Sequence, residues 1–406
     1  MTSSPPAPDS DLQSPSGGGH LPDTAAPGSQ AALRRANRRR VVDTVRSQGA
    51  VTQARIARET ALAPSTVSSI VKELTACDLL AVEPDHGGRR GQRVRFSASA
   101  GYLVGVDVGH RHVEVALADL NLEIRARRRS ELPAGHRAQD VLAEVRETCS
   151  DLRASLGIAP DRVLHAGLTL PAPVDAQRRA LDSDAILPRW AGTDVRALAA
   201  RLLDCPVVVE NDANAGAVSE HALGAGRGVA DMAYLKVAHG VGAGLILGGR
   251  LYRGASGSAG EIGHITLDEG AGLCRCGNRG CLETFVCAPA VLDLVRTSGQ
   301  HAGTVADVVA TALQGDPGCR RVVADTGRVL GSAVAQLCNL LNPELVVLGG
   351  ELGQAGDLVL DPMMEAVDRY SLHGDTRLRI VPSELGAGAH LMGALILARS
   401  ESSLPV

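Results

Sequence analysis

The chain of 406 residues has no apolar run long enough to span a bilayer. It also lacks a basic stretch leading into an apolar one ahead of a cleavage site. Neither a membrane span nor an export leader is expected. Lysine is nearly absent: Lys72 and Lys236 are the only two, and arginine carries the remaining positive side-chain charge. There is no overall excess of that charge either. The formal net charge is −4, which excludes binding to nucleic acid through bulk charge. Nine cysteines in so long a chain without a leader do not suggest the disulfide framework of a small secreted domain. Cys77, Cys149, Cys205, Cys287, Cys319 and Cys338 are scattered and expected to be reduced. A soluble cytoplasmic protein of two or three domains is the expectation.

The other three cysteines are not scattered. Gly260-Glu261-Ile262-Gly263-His264 precedes Cys274-Arg275-Cys276-Gly277-Asn278-Arg279-Gly280-Cys281-Leu282-Glu283, so the spacing is H-x9-C-x-C-x4-C. Thiolate and imidazole are the ligands Zn²⁺ prefers, and four of them close a tetrahedral structural site. The glycines let the loop fold back until His264, Cys274, Cys276 and Cys281 converge. Glu261 and Glu283 flank the cluster, so a metal would fix both carboxylates. By spacing alone they are either acceptors for a ligand with several hydroxyl groups or ordinary solvated acids.

These two motifs, GEIGH and CxCGxxGCxE, resemble the signature of the ROK family of sugar-responsive repressors and sugar kinases. The resemblance runs from about Arg34 to the C-terminus. It implies a structural zinc, a His264 that also holds the sugar, and sugar hydroxyls on Glu261 and Glu283.

Residues 1–30, rich in Pro, Ser and Gly, are expected to be a disordered tail. Residues 31–98 have the pattern of a winged helix-turn-helix. Val41, Val42 and Val45 mark a first helix, and Thr52 caps a second over 53–60. Pro64 opens a third, whose Val67, Ile70, Val71 and Leu74 form an apolar stripe. The opposite face offers Ser65, Thr66, Ser68, Ser69 and Lys72 to a DNA groove. A hairpin follows, its tip carrying Arg89 and Arg90 for backbone or minor-groove contact. Arg34, Arg35, Arg38, Arg39, Arg40 and Arg46 crowd the first helix. The expected partner is a double-stranded DNA operator, read by a homodimer or homotetramer.

From Tyr102 the register changes to strands: 102–108, 112–118 and 122–129, then 163–170 and 206–210, with helices near 138–156 and 193–203. A second series has strands at 232–237, 243–247 and 345–348, helices near 288–297, 304–313 and 319–341, and a last helix near 388–399. The order resembles the two-lobed, actin-like (ribonuclease-H-like) α/β fold of sugar kinases. Residues 99–225 with 386–400 would form one lobe, and 226–385 the zinc-bearing other. Asn211 and Asp212 end a strand where ligands bind. By resemblance Asn211 holds sugar, and Asp212 matches the kinases' catalytic base.

The family's kinases open with D-x-G-G-T, whereas this chain has Asp107-Val108-Gly109-His110-Arg111. In a second loop His239 stands where kinases show Thr. Two hydroxyls and close backbone access to phosphate are therefore missing. A regulator answering to a sugar or sugar phosphate is expected, with no ATP and no catalytic residue. The alternative is an ATP-dependent hexose kinase with an accessory DNA-binding head.

Overall fold

The i, i+3, i+4 stripes of the N-terminal segment become three helices, because each must bury one face against the other two. They are α1 (Gln30–Gln48), α2 (Gln53–Thr60) and α3 (Pro64–Ala76). Thr52 accepts a hydrogen bond from the Arg55 N–H at the start of α2, and Pro64 takes the first turn of α3. Between them Ala61 adopts a left-handed φ of 50°. Strands β1 (Val51–Thr52), β2 (Leu80–Pro84) and β3 (Gln92–Phe96) form an antiparallel wing in the order β1-β3-β2. The computed structural model describes residues 29–84, 92–175, 186–297, 299, 301–372 and 378–404. All but the end of the N-terminal tail, and the wing tip with Arg89 and Arg90, lie outside these residues.

Two five-stranded sheets follow, built on one plan. The first comprises β4 (Tyr102–Val108), β5 (His112–Asp119), β6 (Ile124–Glu131), β7 (Val163–Leu170) and β8 (Val207–Asn211), ordered β6-β5-β4-β7-β8. Helices α4 (Ala138–Ser155) and α5 (Val195–Leu203) supply the crossovers that its parallel strands require. Helix α6 (Asp212–Leu223) leaves the end of β8. The second sheet comprises β9 (Met232–Val237), β10 (Val241–Leu247), β11 (Arg250–Tyr252), β12 (Leu345–Gly349) and β13 (Arg379–Pro382), ordered β11-β10-β9-β12-β13. Its crossovers are α7 (Glu283–Val286), α8 (Ala288–Thr297), α9 (Val305–Leu313) and α10 (Pro317–Leu341), then α11 (Asp357–Tyr370). The last helix, α12 (Ala389–Glu401), packs on α6, β4 and β7, while α6 also meets β9 and β10. Glycine permits that seat: a Cβ at Gly167 or Gly393 would run into the carbonyls of Ala394 or Ala215.

Several boundaries differ from the sequence reading. The third strand begins at Ile124, because the Asp119 carboxylate accepts from the N–H groups of Asn121 (2.9 Å) and Glu123 (3.1 Å). Leu122 turns there at φ 66°. Helix α11 was not expected, since Pro362 lies inside it; burial of Val359, Met363 and Val367 outweighs the lost hydrogen bond. Strands β11 and β13, of 3 and 4 residues, are too short for an alternation to show. Among the described residues no helix is long and apolar enough to cross a membrane.

The helical head is not hung on a linker. Its core residues Val41, Ile56, Val94 and Phe96 form one cluster with Leu103, Leu120, Leu395 and Ala398 of the first sheet and α12. Arg46 donates to the carbonyls of Ser400 (3.4 Å) and Ser402 (3.3 Å), tying α1 to the end of α12.

Candidate functional site

The loop between β11 and α7 folds back on itself through short bridges, Thr266 to Cys281 and Leu273 to Arg279. The Cys274 N–H donates to the Asn278 carbonyl at 2.7 Å, and Gly277 turns at φ 94°. One ligand atom from each of His264, Cys274, Cys276 and Cys281 lies within 4.8 Å of all the others. Cys276 and Cys281 sulfurs are 3.7 Å apart, as are the Cys274 sulfur and His264 Nδ1. A tetrahedron with metal–sulfur bonds of about 2.3 Å has edges of about 3.8 Å. The four residues fit a metal ion. His264 Nε2 faces the other way, 3.9 Å from a Glu261 carboxylate oxygen. One imidazole can thus serve the metal and present its far nitrogen to a ligand.

That nitrogen faces a hollow between the lobes, lined by Asn211, Asp212, Glu261, His264 and Glu283 together with Pro171, Ala172 and Pro173. All five residues singled out as sugar ligands in the sequence therefore come together. Asn211 caps α6 by accepting from the Asn214 N–H (3.1 Å), and its amide donates to the Ala172 carbonyl (3.2 Å). Buried Asp212 forms a close ion pair with Lys236 at the end of β9. Glu283 accepts from the Val241 N–H at 3.0 Å and from Arg275 Nε and Nη2 at 2.7 and 2.8 Å. Burial first, then the charges of Asp212 and Glu283, push the Glu261 carboxyl up to about 7. Near neutral pH it can therefore both donate to and accept from a hydroxyl.

Lys236 and Arg275 were missed as site residues. The available signals were that Lys236 is one of two lysines and that Arg275 stands between two metal ligands.

Beyond Asp212 the hollow opens into a larger cavity of about 260 Å³. Asp107 at its floor accepts from Thr169 Oγ1 (2.6 Å) and lies 3.2 Å from His112 Nε2. Burial alone would raise this carboxyl; His112, His390 and Thr169 override it and hold it well below the usual carboxylate range. The Gly109 N–H donates to the His112 carbonyl (2.8 Å), leaving His110 and Arg111 at the tip of the turn. The rings of His110 and His239 face each other at 5.8 Å. Burial, then Lys236 and Arg275, lower His110 to about 3, and His239 is lowered by burial and by Arg111.

In the head, Ser65, Ser68, Ser69 and Lys72 are exposed, while Thr66 is half-buried beside α1. The arginine cluster is less free than its sequence suggests. Arg34 and Arg38 pair with Glu73 of α3, and the hydrogen bonds from Arg38 and Arg34 lower this carboxyl to about 2. Arg40 donates to the Thr60 carbonyl, and Arg46 is tied to α12.

Residues 103–401 match the ROK family, and residues 35–91 match the MarR family. The chain is 26% identical over 392 residues to the xylose repressor of Caldicellulosiruptor bescii, covering 92% of this chain and 98% of that protein. A crystal structure of a ROK family transcriptional regulator, a homolog of the E. coli MLC protein, superimposes with a TM-score of 0.74 at 26% identity. It covers 91% of this chain, and 96% of its own length is matched. A ROK family glucokinase from Streptomyces griseus, solved with glucose and AMPPNP, gives a TM-score of 0.66 at 27% identity. That kinase is matched over its whole length by 74% of this chain.

Proposed function

This chain belongs to the ROK family, and we propose that it is a sugar-responsive DNA-binding transcriptional regulator, a repressor of carbohydrate uptake or catabolism genes. One observation carries this reading: a winged head shares a continuous core with α12, and α12 packs on α6, whose first residue, Asp212, lines the cleft. Movement of the lobes about a bound sugar would reach the head through packed helices and not through a slack linker. The sugar must bind the two arrangements with different affinity for this to work.

In this reading Asn211, Asp212, Glu261, His264 and Glu283 hold the sugar, and a structural Zn²⁺ on His264, Cys274, Cys276 and Cys281 fixes their loop. That metal supplies rigidity and no chemistry. Ser65, Thr66, Ser68, Ser69 and Lys72 face an operator, with Arg89 and Arg90 on the wing. A helix this short reads few base pairs, so a homodimer or homotetramer on a palindromic site is proposed. Such a protein works in the cytoplasm, where bacterial DNA is.

The rival reading is an ATP-dependent hexose kinase, favoured by the buried Asp212 at the strand end, which by resemblance matches the kinases' catalytic base. Against it, His110, Arg111 and His239 occupy the places where phosphate would meet a small residue and hydroxyls. The test is a thermal-shift screen of neutral sugars, followed by operator binding and ADP release with Mg²⁺-ATP. A stabilising sugar is expected to change operator affinity without ADP release. Steady turnover that disappears in Asp212→Asn would instead establish the kinase.

A further inference from the structure

Resting on this sensor reading, we propose that Tyr234 and His390 are the positioning residues that couple the cleft to the DNA-binding head. Strand β9 carries the link. Tyr234 and Lys236 are two residues apart on it, so both side chains leave the same face of the second sheet. Lys236 pairs with Asp212, the first residue of α6. The Tyr234 hydroxyl lies 3.3 Å from Nε2 of His390, the second residue of α12. One strand of the second sheet thus holds the first turns of both α6 and α12, and those two helices pack on each other and on the first sheet.

The Tyr234 ring is seated so that it must follow a change between the sheets. It is fully buried, and glycine makes its seat: a Cβ at Gly216 of α6 or at Gly349 of β12 would run into the phenol. His390 meets the ring edge-on, with centroids 6.1 Å apart and planes at 84°, and it also lines the wide cavity with Asp107 and Asp212. Burial lowers the imidazole although Asp107 and Asp212 raise it, and burial raises the phenol. Both are therefore neutral near neutral pH, and the hydroxyl donates to Nε2. At 3.3 Å this bond is near its outer limit, so a shift of about half an ångström between the lobes makes or breaks it. From His390, α12 runs to Leu395 and Ala398 in the head's core cluster, a span of about 12 Å along the helix axis. Closure at Asp212 and Lys236 thus moves the first turn of α12, and the far end of the same helix moves the head.

Fluorescence anisotropy on the zinc-loaded full chain tests this. The DNA is a duplex selected from random sequence by the chain itself, and the sugar is the free pentose, hexose or N-acetylhexosamine that most raises its melting temperature. The quantity read is the factor by which that sugar changes DNA affinity. In the native chain it is expected to lie between about 5- and 150-fold, and in Tyr234→Phe and His390→Ala to fall to within about twofold of unity. His390→Gln, which keeps an acceptor for the phenol, should restore the response. Sugar affinity and sugar-free DNA affinity should stay as in the native chain, which also shows that the variants fold. A response retained in either Tyr234→Phe or His390→Ala overturns the link. So does a response lost together with sugar binding, which marks a purely structural pair. A native chain that binds DNA and sugar but shows no response removes the sensor reading itself, and the link with it.

Discussion

The two ends of the cleft stand on one scaffold but are held in different ways. At the narrow end two carboxylates are fixed by something already rigid: Asp212 by a strand end and Lys236, Glu283 by Arg275 and a backbone N–H. At the wide end, of the groups that differ from a kinase, His110 and Arg111 sit at a turn tip, and the rings of His110 and His239 face each other at 5.8 Å. A polyhydroxy ligand needs several acceptors at set distances, and frozen geometry supplies them. The same two-sheet frame can therefore keep one half of a binding site and recast the other by changing a few turn residues.

The largest effect should come from removing the support of the narrow end alone. Cys281→Ser is expected to abolish bound zinc by elemental analysis and to cost on the order of 4 kcal/mol of stability or more. Sugar binding should go with it. Sugar binding retained in the zinc-free variant would show that the narrow end does not depend on the metal loop.

Asp212→Asn tests the narrow end more finely, because it removes one charge and leaves the metal loop in place. Calorimetry should show sugar affinity lowered roughly 10- to 100-fold, the worth of one charged hydrogen bond. Unchanged sugar affinity would remove Asp212 from the narrow end's binding groups.

Outside the cleft, Ser68→Ala should change discrimination at individual base pairs by about 1–3 kcal/mol. Lys72→Ala should weaken all sequences alike and flatten the salt dependence. Fluorescence anisotropy with operator variants measures both. Neither change should alter sugar binding in the absence of DNA.

The smallest effect concerns acid. The Asp107 carboxyl is depressed in the folded chain, so its contribution to stability is complete above the unfolded value of about 3.9 and is lost as pH falls through the folded value. Melting temperature should not respond to Asp107 between pH 7 and 5. Below about pH 4 the native chain should lose a few degrees that Asp107→Asn does not.

The convergence of His264, Cys274, Cys276 and Cys281 and the three helices of the head were legible because both are local patterns. Four ligands fall within eighteen residues of loop, and apolar positions three and four apart must share a helix face. The doubled strand order was legible for the same reason, apart from the short β11 and β13 and from α11, where Pro362 concealed a helix held by its packing. The sequence alone also determined that the carboxylates of the narrow end exist and that hydroxyls are missing from the wide one. Only the tertiary structure decided what those groups meet. Lys236 reaches Asp212 across the lobes, Glu73 recruits Arg34 and Arg38, and the head's core closes over α12. Each is a pairing between distant segments, fixed by packing and by the cost of burying an unpaired charge, and no local spacing records such a partner.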